Sequence, residues 1–191
     1  MKKYIFLIIL IVLIALAIIA SLGFFKWKSN RKVQPQAVAQ KQEKQYTEVK
    51  VAVLALDDNG KRGQKIGCND SVIYLDKTVT PTPSPLDAAM TELFALPEGD
   101  IEASTAGTGY YNVIYKMKNR SNGLGFIKSK IENGVAKLYF KGELAGFDGV
   151  CDIPRVPAQI EGTAKQVEGV TEVQTFVNDQ PVDWTTYGNL K

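Results

Sequence analysis

The sequence contains no histidine. That removes the commonest general base near neutral pH and the commonest metal ligand. It holds no G-x-S-x-G, no P-loop and no G-x-G-x-x-G, so neither a nucleophile elbow nor a phosphate-cradling loop is offered. Ser129 and Lys130 are neighbours on an alternating stretch, so their side chains point to opposite faces. Asp57, Asp58 and Asn59 lack the alternate spacing and the distant bidentate Glu of a calcium loop, and read as an exposed turn. Asp148 and Asp152 flank Cys151 near a bend, where carboxylates are ordinarily solvated. Cysteine is scarce too: Cys68 and Cys151 are the whole supply, with no C-x-x-C redox pair. These absences read as a non-enzymatic protein without catalytic, cofactor-binding or metal-binding residues.

Positive charge is scarce where the chain folds. The net charge is +3 overall. Residues 1–47 carry eight Lys/Arg and one Asp/Glu, whereas residues 48–191 carry fifteen and nineteen. The folded part is therefore mildly acidic, without a basic patch or an aromatic–basic interleave, which excludes nucleic acid as a partner.

Long apolar runs are absent after residue 25, but one precedes it. Tyr4–Phe25, YIFLIILIVLIALAIIASLGFF, is 22 residues without a charge. As a helix it would rise roughly 33 Å, enough for a hydrocarbon core of about 30 Å. Lys2 and Lys3 precede it, and Lys26, Trp27, Lys28, Arg31 and Lys32 follow, as interface anchors do. Two readings meet here: a signal peptide cut after Ala20, or an uncleaved signal anchor. The run exceeds a signal h-region and no polar segment precedes Ala20, which favours the anchor. With no cysteine near its end, a lipid-modified N-terminus is excluded. Orientation stays open on charge alone. A strict positive-inside count places the large domain in the cytoplasm, whereas a short basic head ordinarily stays inside and sends the domain out.

The expected organisation is a head at 1–3, a transmembrane anchor at 4–25, a polar glutamine-rich stalk at 26–47, a domain at 48–183 and a tail at 184–191. The stalk is too poor in large apolar residues to bury a core. EVKVAVLAL alternates and then turns continuously apolar, as a strand entering a core does. Ser71–Val79 predicts a second strand, and TPTPSP an extended connector. Ser84 is placed to cap a helix over Pro85–Leu96 whose inner face carries Leu86, Ala89, Met90, Leu93 and Phe94. Residues 98–124 are the least legible; GYYNVIYKMKNRSNG reads as a strand and a turn. Tyr110, Tyr111 and Tyr115 there are either a ligand or partner face or half-buried residues at a sheet edge.

Asn133-Gly134 between alternating runs predicts a hairpin. Ile127, Ile131, Val135, Leu138 and Phe140 offer its apolar side, with lysines opposite. Gly142–Gly149 is a bend. Pro154 and Pro157 belong near a helix start. Val156, Ile160, Ala164 and Val167 then mark a second amphipathic helix, followed by a strand over Val170–Val177 and a frayed tail. The order gives an α+β domain, a mixed or antiparallel sheet with two helices packed on one face.

IENGVAKLYFKGEL, then Cys151, then RVPAQIEGTAKQVEGVTEVQTFVNDQPV resembles the C-terminal half of a GerMN domain, the sporulation and spore germination module. GCNDSVIYLDKTVTPTPSPLDAAMTELF resembles its N-terminal half. The resemblance covers about residues 49–182, with one copy of the module. Val167-Glu168 stand where the family often has Phe-Pro, and Gly162 sits in mid-helix.

The resemblance implies a disulfide between Cys68 and Cys151, since some GerMN-like proteins pair cysteines at these two places. Such a bond persists in oxidising compartments, and would put the domain on the extracytoplasmic side of a single-pass anchor. Two buried free thiols are the alternative. The resemblance also implies a non-enzymatic module of cell-envelope assembly, acting on an envelope protein or on itself, by analogy with ring-building modules of similar fold. The alternative is a binder of cell-wall glycan or peptide through the three tyrosines. A solute-binding role fits poorly with a domain too small for a two-lobed clamp.

Overall fold

The computed structural model describes residues 43–97, 109–144, 147 and 149–187. The apolar run 4–25, the stalk up to residue 42 and the tail beyond residue 187 lie outside them. Among the described residues no helix is long and apolar enough to cross a membrane.

β1 (Tyr46–Ala55) pairs antiparallel with the long β3 (Ser71–Thr82), and the short β2 (Gln64–Lys65) joins the far side of β3. A 3-10 turn at Gly67–Asn69 separates β2 from β3. The first helix, α1 (Pro85–Ala95), follows, then a short α2 (Val113–Lys118). β4 (Gly125–Glu132) and β5 (Val135–Lys141) form the hairpin around Asn133-Gly134, both with positive φ. These are the two left-handed residues that a tight turn of this kind requires. α3 (Asp152–Ala164) crosses over to β6 (Glu172–Val177), which lies parallel to β5. β7 (Gln180–Pro181) and a helical turn, α4 (Trp184–Tyr187), end the described chain.

The strands make two sheets, β1-β3-β2 and β4-β5-β6-β7, not the one sheet expected. The parallel β5–β6 pair makes the second sheet mixed. α1 and α3 both pack on β1, and α1 also reaches β4. One core joins the two sheets: Val51, Val53, Met90, Leu93, Ile114, Leu138, Phe140 and Ile160 are all within 1% of complete burial. β1 is buried on both faces from Val51 to Ala55, matching its continuously apolar composition.

Several expectations are corrected. Residues Val113–Lys118 are helical rather than extended, capped by Asn112, whose side chain accepts from the amides of Ile114 and Tyr115. Ser84 caps α1 without a side-chain hydrogen bond; its carbonyl accepts from Ala88. Ile127 and Ile131 are 53% and 42% exposed, because β4 is an edge strand with a register shift between Phe126 and Lys128. α3 starts before Pro154, and Pro157 lies inside it. Val167 lies beyond its end, half-buried. Residues 184–187, expected to fray, form a helical turn.

Gly162 has a packing reason. A Cβ there would meet the Cβ of Ala52 at 3.1 Å, so the missing side chain lets α3 lie close on β1. At Gly142, φ is +100° and a Cβ would sit 2.2 Å from the carbonyl oxygen of Gly123, a position only glycine can hold.

The inner edge of β1 is closed by side chains rather than by another strand. Ala52 donates its amide to Thr163 Oγ1 (2.9 Å) and accepts from Gln159 Nε2 (2.9 Å). Leu54 exchanges both backbone bonds with Tyr111. Gln159 also accepts from the amide of Val113 (2.9 Å) and donates to Asn112 Oδ1 (3.1 Å). Asn112 Nδ2 donates in turn to the carbonyls of Leu93 and Leu96 at the end of α1. Gln159, Asn112 and Thr163 are fully buried, so every bond removed strands a polar group away from water. Gln159→Leu is expected to cost about 3 kcal/mol and Thr163→Val about 1 kcal/mol in denaturant unfolding. Equal, small losses would show that the network carries no special weight.

Candidate functional site

Cys68 and Cys151 are disulfide-bonded, with Cα atoms 5.7 Å apart, so the pairing implied by the resemblance is present and the free-thiol alternative is not. The bond ties the 3-10 turn to the residue before α3. Cys68 and Asn69 have φ of 58° and 59°, so two left-handed residues aim this turn at the helix.

A charged cluster surrounds the bond. Arg155 Nε donates to Asp70 Oδ2 (2.7 Å), and its Nη1 donates to Asp152 Oδ1 (3.2 Å). Asp70 and Asp152 are 1% and 3% exposed. Asp70 Oδ1 also accepts the amide of Asp57 (3.0 Å). Burial works against the Arg155 charge, but Asp70 and then Asp152 outweigh it and raise its pKa. The guanidinium lies 5.3 Å from the centroid of the Tyr111 ring, within cation–π range. The cluster is thus a satisfied structural joint between the 3-10 turn, α3 and the Tyr111 segment.

A second ion pair holds the neighbouring loop. Arg62 donates through its amide (2.7 Å) and Nε (2.9 Å) to Asp58, and through Nη1 (3.0 Å) to the carbonyl of Gly109. Burial pushes the Asp58 carboxyl up, but bonds from the Arg62 amide, the Ser71 hydroxyl and the Arg62 guanidinium hold it at about 2.

The three tyrosines do not form one open face. Tyr111 is 5% exposed, and Arg155 and Lys116 both lie against its ring. Tyr110 and Tyr115 are half-buried. Among the described residues, no group of three or more Cys, Asp or Glu side chains is arranged to hold a metal ion.

The outer face of the second sheet is open instead. Tyr139 stacks on Phe176 at 5.0 Å, and Lys128 lies over the Tyr139 ring at 5.1 Å. Beside them Glu132 pairs with both Lys130 (2.5 Å) and Lys137 (2.7 Å). Hydrogen bonds and charge from these lysines hold the Glu132 carboxyl at about 2. Sequence reasoning missed this aromatic–cation ladder because it joins β4, β5 and β6, whose register is not a local property. It missed Asp70, Arg155 and Gln159 for the same reason. One signal for Gln159 was available: a polar residue within the apolar stripe of an amphipathic helix.

No family model matches the chain, and no curated protein matches it. Among solved structures, the chain is similar to the tandem GerMN domains of the sporulation protein GerM from Bacillus subtilis, at 17% identity and TM-score 0.45, with 75% of this chain and 43% of that chain covered. It is also similar to the first GerMN domain of that protein, at 14% identity and TM-score 0.46, with 72% of this chain and 86% of that chain covered. The chain therefore spans less than half the length of the tandem structure.

Two outcomes are expected. Cys68→Ser with Cys151→Ser should lower unfolding stability by about 4 kcal/mol, the chain-entropy value for a loop of this size. Loss of less than about 1 kcal/mol in denaturant titration would show that the Asp70–Arg155–Asp152 cluster holds the corner alone. For Asp58 the folded pKa is depressed, so its stabilisation is present above the unfolded value of 3.8 and is lost as pH falls toward about 2. Asp58→Asn should be less stable at neutral pH, with a shallower fall in Tm on acidification across that window. An unchanged acid slope would contradict the assignment.

Proposed function

We propose that this chain is a non-enzymatic GerMN-like docking module, membrane-anchored and facing the extracytoplasmic side, that acts in cell-envelope assembly through protein–protein contact. The observation that carries the reading is the Cys68–Cys151 bond, which uses both cysteines of the chain. A structural disulfide over so long a loop fits an oxidising compartment. The anchor and stalk read from the residues that precede β1 would present the domain on that side of the membrane. The open face of the second sheet, with its aromatic pair and lysines, supports docking rather than chemistry.

Stacking on glycan draws less support from the side chains. Sugar stacking needs a free aromatic face. Tyr111 is buried between cations, and Tyr139 has Phe176 and Lys128 against its ring.

Chemical cross-linking in intact cells tests docking. The same envelope protein, or a second copy of this chain, should be trapped in repeated experiments and lost when Tyr139→Ala and Phe176→Ala are combined with Lys128→Glu. Recovery of neither would end the docking reading. A parallel pull-down of the protein on purified cell wall should show no retention above a control. Retention abolished by alanine at Tyr110 and Tyr115 would favour the glycan reading instead.

A further inference from the structure

Asparagine is a thermolabile residue, most of all before glycine, where the absence of a Cβ on the next residue leaves its amide nitrogen free to close on the asparagine side chain. The chain has three such steps: Asn59-Gly60, Asn122-Gly123 and Asn133-Gly134. All three asparagines hold a positive φ, so the backbone region does not tell them apart.

Hydrogen bonding does. At the first step the Gly60 amide, which holds the nitrogen that would attack, donates to Ser71 Oγ (2.8 Å), and Asn59 Oδ1 accepts from Lys65. At the second step the Gly123 amide donates to the carbonyl of Arg120 (2.9 Å), and Asn122 Nδ2 donates to Glu143 Oε1 (3.4 Å). Gly123 is also wedged against the end of α2, where a Cβ would sit 2.3 Å from the carbonyl oxygen of Lys118. At the third step neither the Asn133 side chain nor the Gly134 amide has a hydrogen-bond partner among the described residues. Asn133 is exposed at the tip of the β4–β5 hairpin. Gly134 is anchored through its carbonyl instead, which accepts from the amides of Thr171 (2.8 Å) and Glu172 (3.2 Å). The attacking nitrogen and its target are thus both at liberty at one step of the three.

We infer that Asn133 is a self-modification site, where the folded chain converts asparagine to aspartate and isoaspartate while Asn59 and Asn122 persist. The Gly134 amide gives its proton to solvent base, and its nitrogen attacks Asn133 Cγ. The Cγ–Nδ2 bond breaks, ammonia leaves, and a five-membered succinimide closes. Water then opens the ring. Cleavage of the new Cγ–N bond leaves aspartate; cleavage of the backbone C–N bond leaves isoaspartate, with the main chain routed through the side chain. One water is consumed and one ammonia released, with no change of oxidation state. The new carboxylate stands next to Glu132, which already pairs with Lys130 and Lys137. Isoaspartate also adds a main-chain atom to a turn built on two left-handed residues. That pulls the Gly134 carbonyl away from the Thr171 and Glu172 amides, where β6 begins. The inference is independent of the docking reading and needs no partner.

The test ages the purified full-length chain in detergent micelles at mildly alkaline pH, folded and in urea, and maps its peptides by mass spectrometry. In the folded chain Asn133 should convert roughly thirtyfold faster than Asn59 or Asn122, since two hydrogen bonds must break first at each of those steps. In urea the three rates should converge. Ser71→Ala frees the Gly60 amide and should speed conversion of Asn59 roughly fivefold in the folded chain, with Asn133 unchanged. Equal rates at the three steps of the folded chain overturn the inference. So does an Asn133 that stays intact when folded while the unfolded chain reacts. Should Ser71→Ala misfold, the comparison of folded with unfolded chain still decides. Hydrogen exchange tests the structural consequence. The Thr171 and Glu172 amides should exchange faster in the isoaspartate fraction than in fresh chain, whereas Asn133→Asp should leave them unchanged. Unchanged exchange in the isoaspartate fraction overturns the loosening of β6.

Discussion

The fold depends on how one strand edge is closed. β1 runs through the centre of the domain and pairs along one side only, with β3. Its other edge would expose amides and carbonyls to an apolar interior, at a cost of a few kcal/mol per stranded group. Thr163 and Gln159 take the groups of Ala52, and Tyr111 takes those of Leu54. Gln159 then links onward to Asn112, which caps α2 and donates to the carbonyls at the end of α1. Two buried amides, Gln159 and Asn112, thus tie three helices to one another and to the central strand. Gly162, one turn along, lets α3 come close enough for these bonds to form.

The disulfide corner stands at the start of the same helix. α3 is fixed at its beginning by Cys151 and Arg155 and along its length by Gln159 and Thr163. The segment that carries Tyr111 is held from both directions, by the β1 bridge and by the Arg155 guanidinium over its ring. This explains why the tyrosine cluster does not open as a face. Among the described residues, it leaves the outer face of the second sheet exposed, with Tyr139, Phe176 and Lys128 on it.

The legible parts of this fold were those encoded over a few residues. Asn133-Gly134 fixes its hairpin locally, Pro85 to Phe94 carries a helical stripe, and the apolar run of β1 marks a strand buried on both faces. Val113–Lys118 failed because six residues are too few to show a helical period, and Val, Ile and Tyr favour strands. Asn112 was the overlooked cap. The division into two sheets was not legible, since strand neighbours are a non-local choice. The cysteine pair was reached through family motifs, not through spacing. The joint around it, Asp70, Arg155 and Asp152, draws on residues 85 positions apart, and charges buried as a satisfied set leave no local pattern.

The central claim is that the domain works outside the cytoplasm with its one cross-link closed. The most direct measurement is thiol blocking of the full-length protein taken from membranes, with and without prior reduction, read by mass spectrometry. The account predicts that Cys68 and Cys151 react only after reduction, in chains that carry the bond internally. Free reaction of both thiols without reduction would contradict it and return the basic residues after Phe25 to a cytoplasmic interpretation.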